Sequence, residues 1–382
     1  MSGTSADGID AALVEWPEGD AARPFALVAF RESAFPGELQ ERIHRLAAGR
    51  CAPGEALREL AGLDVELGER FAEAAAAVAE QAGVALAEVD AIASHGQTVA
   101  HHPELRATLQ IGDPSVIAER TGCTIVADFR TRDVAAGGEG APLAPFFHHA
   151  AFANPTEGRV ALNLGGIANV TWLPPGGRTE DVIAFDVGPA NALVDGVVRV
   201  QSGGAERMDR DGAGARRGAV DRALLARLLD DEYLRRSPPK STGRERYGAA
   251  EADALAVEWA DAKRPPDDLL ATLVAFTVES IRLACTELVD AKVDRLLVGG
   301  GGARNPFVME SLAAALPDAA VEPFDAAGVP SQAAEAMAFA LMGRNTLLGI
   351  PNHLPRTTGA SRAAVLGEIV PAANGRVGPL PR

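Results

Sequence analysis

Apolar residues come in short runs that close on glycine-rich polar turns, interleaved with longer stretches at helical spacing. Residues 160–164 are apolar, Gly165 and Gly166 follow, and a second apolar stretch covers 169–173; two such runs about a glycine pair predict a hairpin. Residues 182–185 predict a strand that delivers Asp186 to its end, with Gly188-Pro189 as a turn and a helix over 191–200. Strands are also predicted at 9–16, 25–33, 89–93, 108–111, 124–127 and 293–298, and helices at 36–48, 53–83, 114–121, 268–289 and 328–349. Residues 203–248 turn charge-rich and read as a helical arm with a mobile loop. The chain from Pro371 reads as a flexible tail, and the glycine- and proline-rich 135–145 as a hinge between lobes.

The polar residues at these turns are the candidate chemistry. Turn glycines let backbone N–H groups approach phosphate oxygens without a Cβ in the way. A carboxylate at a strand end beside a helix start suits a base next to an anion site, though Asp186 reads equally as a capping or turn residue. The opening MSGTSADGIDAALVEW repeats the layout of 164–173, a polar glycine turn feeding a strand, and suggests two related lobes that each offer a loop to one ligand. Gly3, Thr4, Ser5, Asp7 and Gly8 also fit a plain loop. A phosphate hairpin needs a strand on both sides and none precedes Met1: either a strand lies upstream of this start, or the sheet lacks an edge here.

Ser94, His95, Gly96, Gln97 and Thr98 crowd just past a strand, where α/β sheets place ligands. His101 and His102 have no acidic or cysteine partner at metal spacing and read as structural or exposed. Arg130 is a fork for a carboxylate and Asp133 an acceptor for sugar hydroxyls, unless the two form a surface pair. Residues 293–298 run into Gly299, Gly300, Gly301 and Gly302, then Arg304, Asn305 and a helix, a layout for a nucleotide lying against backbone. The dinucleotide fingerprint, the P-loop and the protein-kinase signatures are absent. Lys240 and Arg244 fit an anion contact or a solvated charge run, and Glu335 sits where a helix dipole favours a carboxylate.

Composition narrows the setting. A chain of 382 residues with 47% hydrophobic residues predicts two lobes with sizeable cores. A net charge of -16 argues against a nucleic-acid binder, so an anionic ligand must be held by local amides, helix ends and a metal. Cys51, Cys123 and Cys285 are sparse and odd in number, which suits a reducing compartment. No signal peptide and no apolar run long enough for a bilayer are read, so the cytoplasm is the expected address.

In order along nearly the whole chain stand MSGTSADGID, SHGQT (94–98), LQIGD (109–113), DFRTRDVAAGGEGAPL (128–143), LNLGGIAN (162–169), FDVGPAN (185–191), VGGGGARNP (298–306) and EAMAFA (335–340). This set resembles the anhydro-N-acetylmuramic acid kinases of the sugar-kinase, actin and chaperone ATPase superfamily. Two departures are the missing first strand and Ala190, where the family usually has glycine.

The resemblance implies an α/β, two-lobed, actin-like ATPase (ribonuclease H-like) fold with a central cleft, lobes at 1–135 plus 350–382 and at 136–349, and ATP with Mg²⁺ as cofactors. It implies that Gly3, Thr4, Ser5, Ala6, Asp7 and Gly8, with Asn163, Gly165, Gly166, Asn169, Gly188 and Asn191, serve the ATP phosphates. Asp7 would help hold Mg²⁺, directly or through water. Gly299 to Gly302 and Asn305 would line the adenosine, Asp186 would be the catalytic base, and His95, Gln97, Arg130, Asp133 and Glu335 would line the sugar. The implied reaction opens and phosphorylates 1,6-anhydro-N-acetylmuramic acid in peptidoglycan recycling. The implied partners are the sugar and ATP, with no nucleic acid or membrane and room for a homodimer. Rival readings are a kinase of another sugar and an actin- or chaperone-like ATPase module; the polar SHGQT and DFRTRD segments argue against the module.

Overall fold

The computed structural model describes residues 1–52, 54–289 and 291–372, without the side chain of Arg244. They form two compact units, Met1–Ala151 with the chain from Ala333 onward, and Phe152–Gln332. The first crossing lies later, and the second earlier, than the sequence pattern suggests. The Ala334–Leu348 helix belongs to the first unit because its Phe339 and Met342 pack with Val126 and Phe129. Its Gly343 lies so close to the sheet that a Cβ there would fall 2.6 Å from that of Ala93. The expected hinge is likewise stitched into the first unit: Gly138 N–H donates to Asp133 O at 2.9 Å and Glu139 N–H to Thr358 O at 2.7 Å. The tail expected from Pro371 lies, beyond Ala372, outside the described residues.

In the first unit, strands β1 (Gly8–Glu15) and β2 (Ala26–Ala34) pair antiparallel. Strand β3 (Ile92–Ala93) runs parallel to β6 (Ile125–Ala127), whose other edge takes the Glu368–Val370 strand, and between them β4 (Gln97–His102) and β5 (Ala107–Ile111) form a hairpin. The long Ala56–Ala82 helix buries Leu63, Leu67 and Phe71 in a core shared with Ile9, Ile43, Ile117 and Ile125. Met1 pairs with β1: Met1 N donates to Asp10 O at 2.9 Å, and Asp10 N–H to Met1 O at 2.8 Å. Beyond it a cavity of about 1050 Å³ runs to Ile92 and Ala93, walled by Phe71, Val78, Phe339 and Gly343.

In the second unit, β7 (Arg159–Leu164), β8 (Ile167–Leu173) and β9 (Ile183–Pro189) make an antiparallel meander, and β10 (Arg295–Gly299) and β11 (Ala320–Pro323) extend it in parallel from β7. The spatial order β9-β8-β7-β10-β11 is the ribonuclease H-like arrangement expected. The Pro266–Leu288 helical segment is long and apolar enough to cross a membrane, contrary to expectation. Leu269, Leu273, Phe276 and Ile281 of this segment are core residues of the second unit, which accounts for the apolar run. The charge-rich 203–248 is folded too, into short helices at Ala213–Arg217, Arg222–Leu229, Glu232–Arg235 and Arg244–Tyr247.

Candidate active site

Asp186 does not end a strand as its sequence neighbours imply. It lies inside β9, opposite Asn169 of β8, and the next pair is Ala168 with Gly188, so Val187 is an extra residue on β9. Such a bulge bends the strand and re-aims the neighbouring side chain. Asp186 Oδ2 accepts the Thr242 N–H at 3.1 Å, and no described residue donates to Oδ1. Burial raises the carboxyl above its ordinary range; the Thr242 N–H and the Lys240 charge oppose this, while Glu245 adds to it.

The three glycine-rich segments of this unit meet. Asn191 N–H and Ala190 N–H donate to Gly165 O and Gly166 O at 3.1 and 3.0 Å. The Asn191 amide also donates to Leu164 O and Gly165 O at 3.0 and 2.9 Å, so this residue clamps the hairpin turn. Gly300 has a left-handed φ of 77°, and a Cβ there would fall 2.4 Å from Asn163 Oδ1 and 2.9 Å from Leu164 backbone. A Cβ on Gly301 would meet nothing within 4 Å, which leaves that backbone open. Asn305 caps the Pro306–Ala315 helix: its Oδ1 accepts from Phe307 and Val308 N–H at 3.1 and 3.3 Å. Gly300→Ala is expected to destabilise the protein, with about 1–3 kcal/mol from a backbone conformation (ψ 178°) open essentially to glycine alone and more from the overlap. An unchanged urea midpoint would contradict that close packing.

In the first unit, the loop at residues 2–8 is held from within. The Ser2 hydroxyl shares its proton between Gly8 O at 2.8 Å and Gln97 Oε1 at 2.7 Å. The Gln97 amide donates to Gly3 O at 3.1 Å and Thr98 O at 3.2 Å, so both of its N–H groups go to the loop and its own strand. Gln40, which no sequence signal marked, donates to Ser5 O at 3.1 Å. Ala6 takes a left-handed φ of 48°, and Ser5 Oγ donates to Asp7 Oδ1 at 2.9 Å, orienting an exposed carboxylate.

His95, Arg130 and Glu335 gather beside this loop. Arg130 donates from Nε to His95 Nε2 at 3.0 Å and from its terminal nitrogen to Gly140 O at 2.6 Å. His95 Nδ1 lies 2.9 Å from Gly96 O. A ring that accepts at Nε2 is neutral, and burial, then the Arg130 charge, hold its pKa well below the ordinary value. Burial lowers Arg130 to about 10, against the Glu335 and Asp133 charges. Glu335 is open to solvent by area, yet its carboxyl is crowded enough that burial raises its pKa against the opposing Arg130 and Met1 charges.

Asp133 does not line this cluster. It is 0% exposed, and its oxygens accept Thr358 Oγ1–H at 2.7 Å and Gly140 N–H at 2.8 Å, with His353 Nδ1 2.6 Å away. His353 Nε2 accepts the Ala364 N–H at 2.9 Å, which places its ring proton on Nδ1, facing Asp133. A carboxylate so engaged ties the 133–140 loop to the C-terminal segment.

The donor set fits ATP and Mg²⁺. The glycine turns present backbone without side chains. Asp7, an exposed carboxylate held by Ser5 Oγ, has the oxygen chemistry that a hard cation such as Mg²⁺ takes alongside water and phosphate.

A ribonuclease H-like sheet whose glycine turns meet is the architecture of the sugar-kinase and actin-like ATPase class. A family model, anhydro-N-acetylmuramic acid kinase, matches residues 1–372. The chain is similar to the anhydro-N-acetylmuramic acid kinases of Gloeobacter violaceus, 45% identical over 377 residues (97% of each chain), and of Caldanaerobacter subterraneus subsp. tengcongensis, 41% identical over 379 residues (97% of this chain, 95% of the other). That of Shewanella halifaxensis is 43% identical over 375 residues (97% of each). The chain belongs to the anhydro-N-acetylmuramic acid kinase family. Among solved structures it is similar to a ROK family glucokinase from Streptomyces griseus at 13% identity and a TM-score of 0.36, over 84% of this chain and 93% of the other, too low a likeness to argue from.

Proposed function

We propose that this protein is an ATP-dependent kinase that opens 1,6-anhydro-N-acetylmuramic acid by hydrolysis and phosphorylates O6, giving N-acetylmuramic acid 6-phosphate and ADP. Family membership across residues 1–372 supports the substrate. The observation that carries the mechanism is Asp186, a half-buried carboxylate with one backbone donor on Oδ2, across the strand pair from the residues that follow the Gly165–Gly166 turn.

An ordinary sugar kinase takes a proton from the hydroxyl that attacks phosphorus. In the anhydro sugar, O6 is bonded to C1 and carries no proton. Asp186 therefore takes a proton from water; the water oxygen bonds to C1 as the C1–O6 bond breaks, and O6 receives the γ-phosphoryl group. Gly3 to Gly8 and Gly165–Gly166 hold the phosphates through backbone, and Gly299 to Gly302 line the adenosine. His95, Arg130 and Glu335 orient the sugar. Gln97, Asn191 and Asn305 act one step back, holding these loops. Asp7 is the residue that would hold Mg²⁺, which supplies charge neutralisation on the phosphates.

ATP consumption with the anhydro sugar as sole acceptor, run in ¹⁸O-labelled water, tests the reading. One ¹⁸O is expected on C1 and none on the O6 bridge to phosphorus. A phosphorylated product without label, its 1,6-bridge still closed, would make Asp186 the base for a plain hydroxyl. ADP formed with no phosphorylated acceptor would favour the ATPase module.

A further inference from the structure

The stretch that its charges mark as a solvated run lies against Asp186. Strand β9 is at the edge of its sheet, and residues 240–242 run along its open side: Asp186 N–H donates to Lys240 O at 3.2 Å, and Thr242 N–H to Asp186 Oδ2 at 3.1 Å. Lys240 anchors this run. Its half-buried Nζ donates to Tyr233 O and Leu234 O, both at 3.0 Å, at the end of the Glu232–Arg235 helix. It also sits 4.6 Å from the Tyr233 ring centroid and 5.6 Å from that of Phe185, within cation–π range. Tyr233 closes the circuit, donating its hydroxyl proton to Asp186 O at 2.7 Å. An ammonium with two carbonyls and two rings around it is not a surface charge awaiting an anion.

We propose that Lys240 is a positioning residue for Asp186: by pinning residues 240–242 to the Glu232–Arg235 helix, it keeps the Thr242 N–H on Oδ2, fixes the carboxylate rotamer and leaves Oδ1 for the water. The proposal rests on Asp186 being the base. A carboxylate free to rotate would present either oxygen, in varying directions, and general-base catalysis depends on that direction. Among the described residues, the charges about this carboxyl are Lys240 and Glu245, with Tyr233 close by and Thr242 N–H as its donor. Loss of the Lys240 charge and of the Thr242 contact would both favour the protonated acid, so the group would titrate at higher pH.

Lys240→Met keeps the stem over Tyr233 and removes the charge and the donors. With full-length protein and the anhydro sugar, kcat is expected to fall roughly 10- to 100-fold, as a misplacement of about 1 Å does. KM for ATP and sugar should stay within about threefold, and the acid limb of the kcat profile should move to higher pH. Lys240→Arg, which retains charge and donors, should recover most of the turnover. In an Asp186→Asn background the Lys240 change should add little, because both act through one carboxylate. A kcat for Lys240→Met within twofold of wild type, or a loss of turnover with the acid limb unmoved, would overturn the role. If Lys240→Met does not fold, Lys240→Gln, shorter but uncharged, is read by the same profile. Turnover retained by Asp186→Asn alone would remove the base assignment itself, whereas an inactive Asp186→Asn beside a normal Lys240→Met would remove only the role of Lys240.

Discussion

Asp186→Asn is expected to lose about 10²- to 10⁴-fold in kcat, the range general-base assistance contributes, while KM for ATP and sugar stays near wild type. The substitution keeps the side chain's shape and an oxygen to accept the Thr242 N–H, so the bulged strand should hold. What it removes is the basic site that accepts a proton from water, which matters in the transition state and little in ground-state binding; kcat and kcat/KM should therefore fall together. In the wild type, burial has already moved this carboxyl upward. The base works ionised, so kcat should rise with pH through an apparent pKa above the ordinary carboxylate value of about 4 and level off beyond it. In Asp186→Asn that limb should disappear from the residual rate. Near wild-type kcat in the variant would take Asp186 out of the mechanism.

Asp133→Ala is expected to destabilise the protein, each buried donor that it leaves unpaired costing about 1–3 kcal/mol. The deletion strands Thr358 Oγ1–H, Gly140 N–H and His353 Nδ1–H in an interior where Asp133 is fully covered. Denaturant unfolding read on the first unit checks it; a shift under about 1 kcal/mol would mean that this network is not what ties the 133–140 loop to the C-terminal segment. The pH dependence has a definite sign. Burial alone would raise the Asp133 pKa, but the contacts with His353, Thr358 and Gly140 outweigh it and the pKa is lowered. A carboxylate with a lowered folded pKa contributes stability above the unfolded value, about 3.9, and loses it as the pH falls through the folded one. The wild type should weaken over that acid window, and Asp133→Ala should lack this component. Turnover should fall as well, since Gly140 also receives Arg130.

The sequence alone determined the elements and the chemistry at their ends. Short apolar runs closing on glycine can bury only as strands with tight turns, so the β7–β8 hairpin, β1, β2 and the helix after Asn191 were legible from period and turn residues. Ordered motifs spanning the chain carried the family. Tertiary structure decided which polar residues are free to act. Gln97 and Asp133 read as ligand residues from their place after a strand; only three-dimensional neighbours reveal that Ser2 and Gly3 engage Gln97 and that Thr358 and His353 engage Asp133. The bulge at Val187 has no local signature, because it depends on which β8 residue each β9 residue faces. The run at 235–248 reads as solvated because its charges are all that local pattern registers. Folding brings Lys240 back onto the carbonyls of Tyr233 and Leu234 and onto the Tyr233 ring, and a charge pattern cannot register backbone acceptors.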